Sequence, residues 1–131
     1  MIIDTNIYSQ FERGDETVKY ALAGASLFMV PLNVIAELRY GFALGKKHQE
    51  NESKLIRFLS QDTVEIITPS VETTPHYARV ASYARRHGIA LSHNDIWIAA
   101  LAMQHQSVLV TQDQDFSGIK PVLGKLLIIA V

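Results

Sequence analysis

Five acids stand where a folded chain could gather them: Asp4, Glu37, Asp95, Asp113 and Asp115. Asp4 ends the short apolar start Met1 to Ile3, and Asp113 and Asp115 follow a second apolar run that closes at Thr111. Glu37 and Asp95 lie near the beginnings of two helical patterns. Carboxylates brought to one place repel one another, and each resists losing its water unless it is protonated or paired with a cation. Hard divalent ions bound through oxygen relieve that conflict, so the chemistry of such a group would be that of Mg²⁺ or Mn²⁺. Each acid, taken alone, also fits an ordinary role. Asp4 can cap the helix behind it, Glu37 can be a solvated helix residue, Ser92-x-x-Asp95 reads as a capping box, and Asp113 and Asp115 suit a turn. Only their joint placement carries weight.

That placement depends on the elements around them. Met1 to Ile3 reads as a very short strand, and Ile7 to Phe11 leads into a turn at Glu12–Asp15 before a helical stretch from Glu16 to Ala25. Ser26 to Val30 is a strand; Pro31 suits the first turn of a helix on which Val34, Ile35, Leu38 and Phe42 recur at helical spacing. Gly45 to Ser53 is polar, Leu55 to Leu59 resume a helical face, and Thr63 to Ile67 is a strand. Tyr77, Val80, Ala81 and Ala84 continue a helix as far as Gly88, and a loop runs from Ile89 to His93. Ile96 to Ala102 is apolar all round and must be buried on several sides, with Trp97 as a core anchor. Ser107 to Thr111 is a strand, Gln112 to Ile119 a loop or turn, and Leu126 to Val131 a terminal strand. Strands alternating with helices predict an α/β architecture: a mostly parallel sheet covered on both faces, with ligands beyond the carboxyl ends of its strands.

With 131 residues, 48% of them hydrophobic, the chain has the size and apolar content of a single domain spanning 1–131. A formal net charge of −1 provides no global basic field, so contact with nucleic acid must come from local patches. The absence of cysteine removes disulfide scaffolds, thiolate zinc sites and cysteine nucleophiles. The five histidines lack the two-ligand helical spacing of a zinc site and are expected to be non-catalytic. With no basic leader and no apolar run near the roughly 18 residues of a membrane span, a cytoplasmic protein is expected.

Four segments carry a resemblance: Ile3-Asp4-Thr5-Asn6, Ala36-Glu37-Leu38-Arg39-Tyr40-Gly41, Asn94-Asp95-Ile96-Trp97-Ile98-Ala99-Ala100, and Val110-Thr111-Gln112-Asp113-Gln114-Asp115-Phe116. In this order and spacing, over essentially the whole chain, they resemble the PIN-domain family, and within it the VapC-type toxin ribonucleases of toxin–antitoxin pairs. The resemblance implies a three-layer α/β/α sandwich and an acidic site made of Asp4, Glu37, Asp95 and Asp113, with Asp115 a further member. It implies that Asn6 and Thr111 orient the carboxylates, that Asp4, Asp95 and Asp113 hold Mg²⁺ or Mn²⁺, and that Glu37 completes a possible second metal site. One departure is that only three residues precede Asp4, where family members often have a few more.

The implied reaction is hydrolysis of RNA phosphodiesters to 5′-phosphate and 3′-hydroxyl products, in single strands or loops whose backbone can reach the site. Arg39, Lys46-Lys47 and Arg85-Arg86-His87 are candidate phosphate contacts, although the last three also suit a helix C-terminus. Resemblance further implies a homodimer and a small antitoxin whose tail fills the groove; Phe28, Tyr40 and Phe42 fit such a groove and fit core packing equally well. Two other classes stand beside this reading: a partner-binding module that keeps the fold without catalysis, and a Mg²⁺-dependent phosphatase. The phosphatase would place an acid where Asn6 stands.

Overall fold

The computed structural model describes residues 1–129. Five strands, β1 (Ile2–Ile3), β2 (Phe28–Pro31), β3 (Val64–Ile67), β4 (Leu109–Thr111) and β5 (Leu126–Ile128), form one parallel sheet in the order β3-β2-β1-β4-β5. The chain lays β1, β2 and β3 outward to one side, then places β4 on the other side of β1. Strand order therefore reverses between β1 and β4, and the crevice beyond their carboxyl ends is where an open α/β sheet admits a ligand. The register pairs Ile3 with Val110, so Asp4 and Thr111 leave the sheet side by side. Although β1 has only two residues, both are buried; Ile2 pairs with Met29 of β2 and Leu109 of β4, and Ile3 with Val110 of β4.

The helices are α1 (Thr5–Glu12), α2 (Glu16–Leu22), α3 (Leu32–Leu44), α4 (His48–Leu59), α5 (Thr74–Arg86), α6 (His93–Gln104) and α7 (Lys120–Leu123). None is long and apolar enough to cross a membrane among the described residues. Asp4, Asp15 and Ser92 cap α1, α2 and α6, each side chain accepting the backbone N–H three residues on. Pro31 closes β2 instead of opening the helix; its extended backbone (φ −61°, ψ 141°) continues the strand to the last residue before α3. Helix α4 begins at His48, inside the stretch that reads as a polar interruption, because its first turn faces solvent while Leu55 and Phe58 supply its buried face.

The segment after Asp113 is more ordered than a simple loop. A 3-10 helix, Gln114–Ile119, runs into α7, and Phe116, Ile119 and Leu123 are buried at spacings of three and four. The expected last strand ends at Ile128, with Ile129 buried behind it; Ala130 and Val131 lie outside the described residues. Helix α6 is buried on several sides through Ile96, Ile98, Ala99, Ala100, Leu101 and Ala102. Trp97 is not the core anchor its setting predicts. It is half-buried, against Tyr77 of α5 with ring centroids 4.4 Å apart, while Ile96, Ile98, Leu101 and the small alanines carry the buried faces of α6.

Candidate active site

Asp4 does two things at once. Its Oδ1 accepts the Ile7 N–H at 3.0 Å, capping α1, and its Oδ2 accepts the Thr111 hydroxyl. Thr111 is fully buried, and its Oγ1 in turn accepts the Asp113 N–H at 2.9 Å. One hydroxyl thus ties the end of β1 to the start of the loop after β4, fixing Asp113 relative to Asp4. Asp113 then caps the 3-10 helix by accepting the Asp115 N–H at 2.8 Å. Asp115 is exposed.

Glu37, exposed on α3, is held from two other helices. Thr5 Oγ1 of α1 donates to its Oε2 at 2.5 Å, and Asn94 Nδ2 of α6 donates to its Oε1. Asn94 is the neighbour of Asp95, so these bonds bring α1, α3 and the first turn of α6 to the crevice. Thr5 and Asn94 were given no role by the sequence, and the only hint there is their adjacency to Asp4 and Asp95. The orienting place expected for Asn6 belongs instead to Thr5: one position along a helix turns a side chain by about 100°, and Asn6 faces solvent.

The electrostatics tie the four acids together. Burial pushes the Asp4 carboxyl above its ordinary range; the hydrogen bonds from Thr111 and Ile7 pull against that, and the charges of Asp113 and Glu37 raise it further. Asp95 is raised in the same way, by burial first, against hydrogen bonds from Ser92 and with the charges of Asp113 and Glu37. Asp115 is not among the charges acting on either. No ion pair among the described residues reaches any of the four. Nor do three of the chain's described acids or histidines stand close enough together to hold an ion as they are. An all-carboxylate oxygen set is the donor chemistry that suits a hard divalent ion.

The basic candidates are placed differently. Arg39 is committed to Glu52 of α4, with Nη2–Oε1 at 2.6 Å and Nε–Oε1 at 2.9 Å, and this hydrogen-bonded pair holds the Glu52 carboxyl below its ordinary range. It is not a free contact for phosphate. Lys46 and Lys47 are exposed between α3 and α4; Arg85 and Arg86 lie in the last turn of α5, with His87 capping it.

The chain is 38% identical over 80 residues to Ribonuclease VapC2 of Rickettsia felis, an alignment that spans 61% of this chain and 58% of that relative's length. It is 33% identical to Toxin FitB of Neisseria gonorrhoeae over 86% of this chain and 87% of that protein. The crystal structure of VapBC2 from Rickettsia felis, bound to a DNA fragment from their promoter, superposes with a TM-score of 0.84 at 30% identity, covering 98% of this chain and 97% of that one. Residues 1–120, which contain all four acids, match the PIN domain model, and the chain belongs to the PIN-domain family.

Proposed function

We propose that residues 1–131 form one PIN-like nuclease domain, a divalent-metal-dependent endoribonuclease that is the toxin of a VapBC-type toxin–antitoxin pair and acts in the cytoplasm as a homodimer. The observation that carries this reading is that four carboxylates from β1, α3, α6 and the loop after β4 face the reversal point of the sheet, where burial, with the charges of Asp113 and Glu37, raises the proton affinity of Asp4 and Asp95. Its likeness to a VapC ribonuclease and a toxin supports the substrate and the biological role.

Asp4, Asp95 and Asp113 would hold Mg²⁺ or Mn²⁺, with Glu37 available to a second ion. Such an ion lowers the pKa of a water and neutralises charge on the scissile phosphate. The chain's own work is positional. Thr111 keeps Asp4 and Asp113 at a constant separation, while Thr5 and Asn94 hold Glu37 where it can orient the attacking water.

The antitoxin's place is supported by α3. Leu32, Tyr40 and Leu44 lie along one face at multiples of four residues and are 49%, 69% and 73% exposed. An apolar stripe on a helix suits the apolar face of a partner segment, and Glu37 stands beside it. Phe42 is half-buried on the core and Phe28 likewise, so of the three aromatic residues expected at a partner groove Tyr40 is the exposed one.

The test is cleavage of a total-RNA pool by purified, antitoxin-free protein with Mg²⁺ or Mn²⁺, with EDTA, and beside Asp95→Asn. Discrete products that need the metal and disappear in the variant are expected. A folded, metal-supplied protein that leaves every RNA intact would favour a binding module instead.

A further inference from the structure

Beyond the acidic crevice, the described residues contain two adjoining cavities along α5, of about 550 Å³ and about 260 Å³, that share Arg79 and Val122. The larger is lined by His76, Arg79 and Lys125, the smaller by Arg79, Tyr83 and Arg86, and no acid lines either. None of these cations belongs to an ion pair among the described residues. Lys125 is steadied by donating to the Gln106 carbonyl at 3.1 Å, which leaves its remaining protons free.

This single sign is written into the sequence. No acid occurs from Thr73 to Asn94 or from Phe116 to Val131, in a chain whose formal net charge is −1. The groove runs from the amino ends of β4 and β5, where Gln106, Ser107 and Lys125 line the larger cavity, to the Arg86 end of α5. Its outer wall, Pro121 and Val122, follows on the chain from Asp113 through the 3-10 helix, and Ile89, just past the Arg86 end of α5, packs on Gly118 so closely that an added methyl would come within 3.0 Å. At that end the Tyr83 ring stacks on His87 with centroids 3.9 Å apart.

We infer that this groove binds the phosphodiester backbone of a single RNA strand, gripping phosphates beyond the one that is cut; the inference rests on the ribonuclease reading above. A one-signed track with flat rings along it is the arrangement that single strands occupy. A second copy of the same surface would be repelled by it.

The test is binding of a fluorescent single-stranded RNA of mixed sequence to the full chain in EDTA across a salt series, with cleavage measured separately in Mg²⁺ or Mn²⁺. Each single-strand phosphate contact contributes about 0.7 to the slope of log affinity against log salt, so Arg79→Gln with Lys125→Gln should lower the slope by about 1.4 and weaken binding roughly 25-fold at ~0.1 M salt. The charge-preserving pair Arg79→Lys with Lys125→Arg should restore most of that, and Lys19→Gln with Arg57→Gln, which removes two exposed charges from α2 and α4, should not mimic it. Equal losses from both neutral pairs would overturn the groove, leaving only the protein's overall charge. So would unchanged RNA affinity together with a change in oligomeric state, which would mark an interface between copies. A wild-type chain that cleaves RNA but ignores the groove charges refutes this inference alone; one that neither binds nor cleaves refutes the ribonuclease reading with it.

Discussion

Thr111 and Asn94 make similar hydrogen bonds to carboxylates but in opposite surroundings, and their loss should separate accordingly. Thr111 is fully buried between Asp4 and the Asp113 N–H. Thr111→Val keeps the shape and strands both partners, so about 1–3 kcal/mol of stability should disappear, read as a lower urea midpoint at unchanged slope. Cleavage should fall with it, since removing a group that orients a ligand costs roughly 10–100-fold. Asn94→Ala should cost the same order in cleavage while moving stability by no more than about 0.5 kcal/mol, because Glu37 stays solvated. Asn6→Ala should change neither. Away from the crevice, burial and the charges of Glu12 and Glu52 push the Tyr8 phenol up to about 12, and its hydroxyl has no partner in the described structure. Above the ordinary value of ~10 the unfolded chain loses a proton that the folded chain keeps, so stability should fall as pH rises from there toward 12. Denaturation midpoints on either side of that window should show the fall in the wild type and a smaller one in Tyr8→Phe.

Helix α3 divides its surface three ways. Val34, Ile35 and Leu38 enter the core, Glu37 turns to the crevice, and Leu32, Tyr40 and Leu44 face outward. Tyr40→Glu should therefore leave metal-dependent cleavage intact and weaken capture of a co-expressed antitoxin, by roughly 30-fold if the ring is an anchor worth about 2 kcal/mol. Full capture by the variant would move the partner elsewhere. At this scale the sequence was readable wherever apolar spacing was regular, as in α3, α5 and α6. It was unreadable where short apolar intervals hid in polar company: α4 and the 3-10 helix with α7 have buried faces of only two or three side chains, too few to set a period. Trp97 failed for another reason. Hydrophobicity says that a side chain can be buried, and only the packing of α6 against its neighbours says which one is left at the edge.

For the molecule as a whole, the strongest expectation concerns the cation. Asp4 and Asp95, whose proton affinity is raised by burial and by the charges of Asp113 and Glu37, should ionise more readily when a divalent ion binds, and ligand linkage adds about 2.7 kcal/mol at a concentration ~100 times Kd. A rise in Tm of several degrees with Mn²⁺ or Mg²⁺ is expected in the wild type and should be much reduced in Asp4→Asn and Asp95→Asn. A Tm indifferent to both ions would count against a metal site.

The alternation of strands and helices, the identity of the four acids and the order of the motifs were all present in the linear chain, because apolar periodicity and residue type are local properties. What folding added was pairing at a distance: the order β3-β2-β1-β4-β5 that puts β4 beside β1, the single hydroxyl of Thr111 between Asp4 and Asp113, the grip of Thr5 and Asn94 on Glu37, the diversion of Arg39 to Glu52, and the alignment of Lys125 with Arg79 and Arg86 along α5. These contacts join residues far apart along the chain, with no spacing rule to relate them. They follow from which faces pack, and packing is settled by the whole core at once.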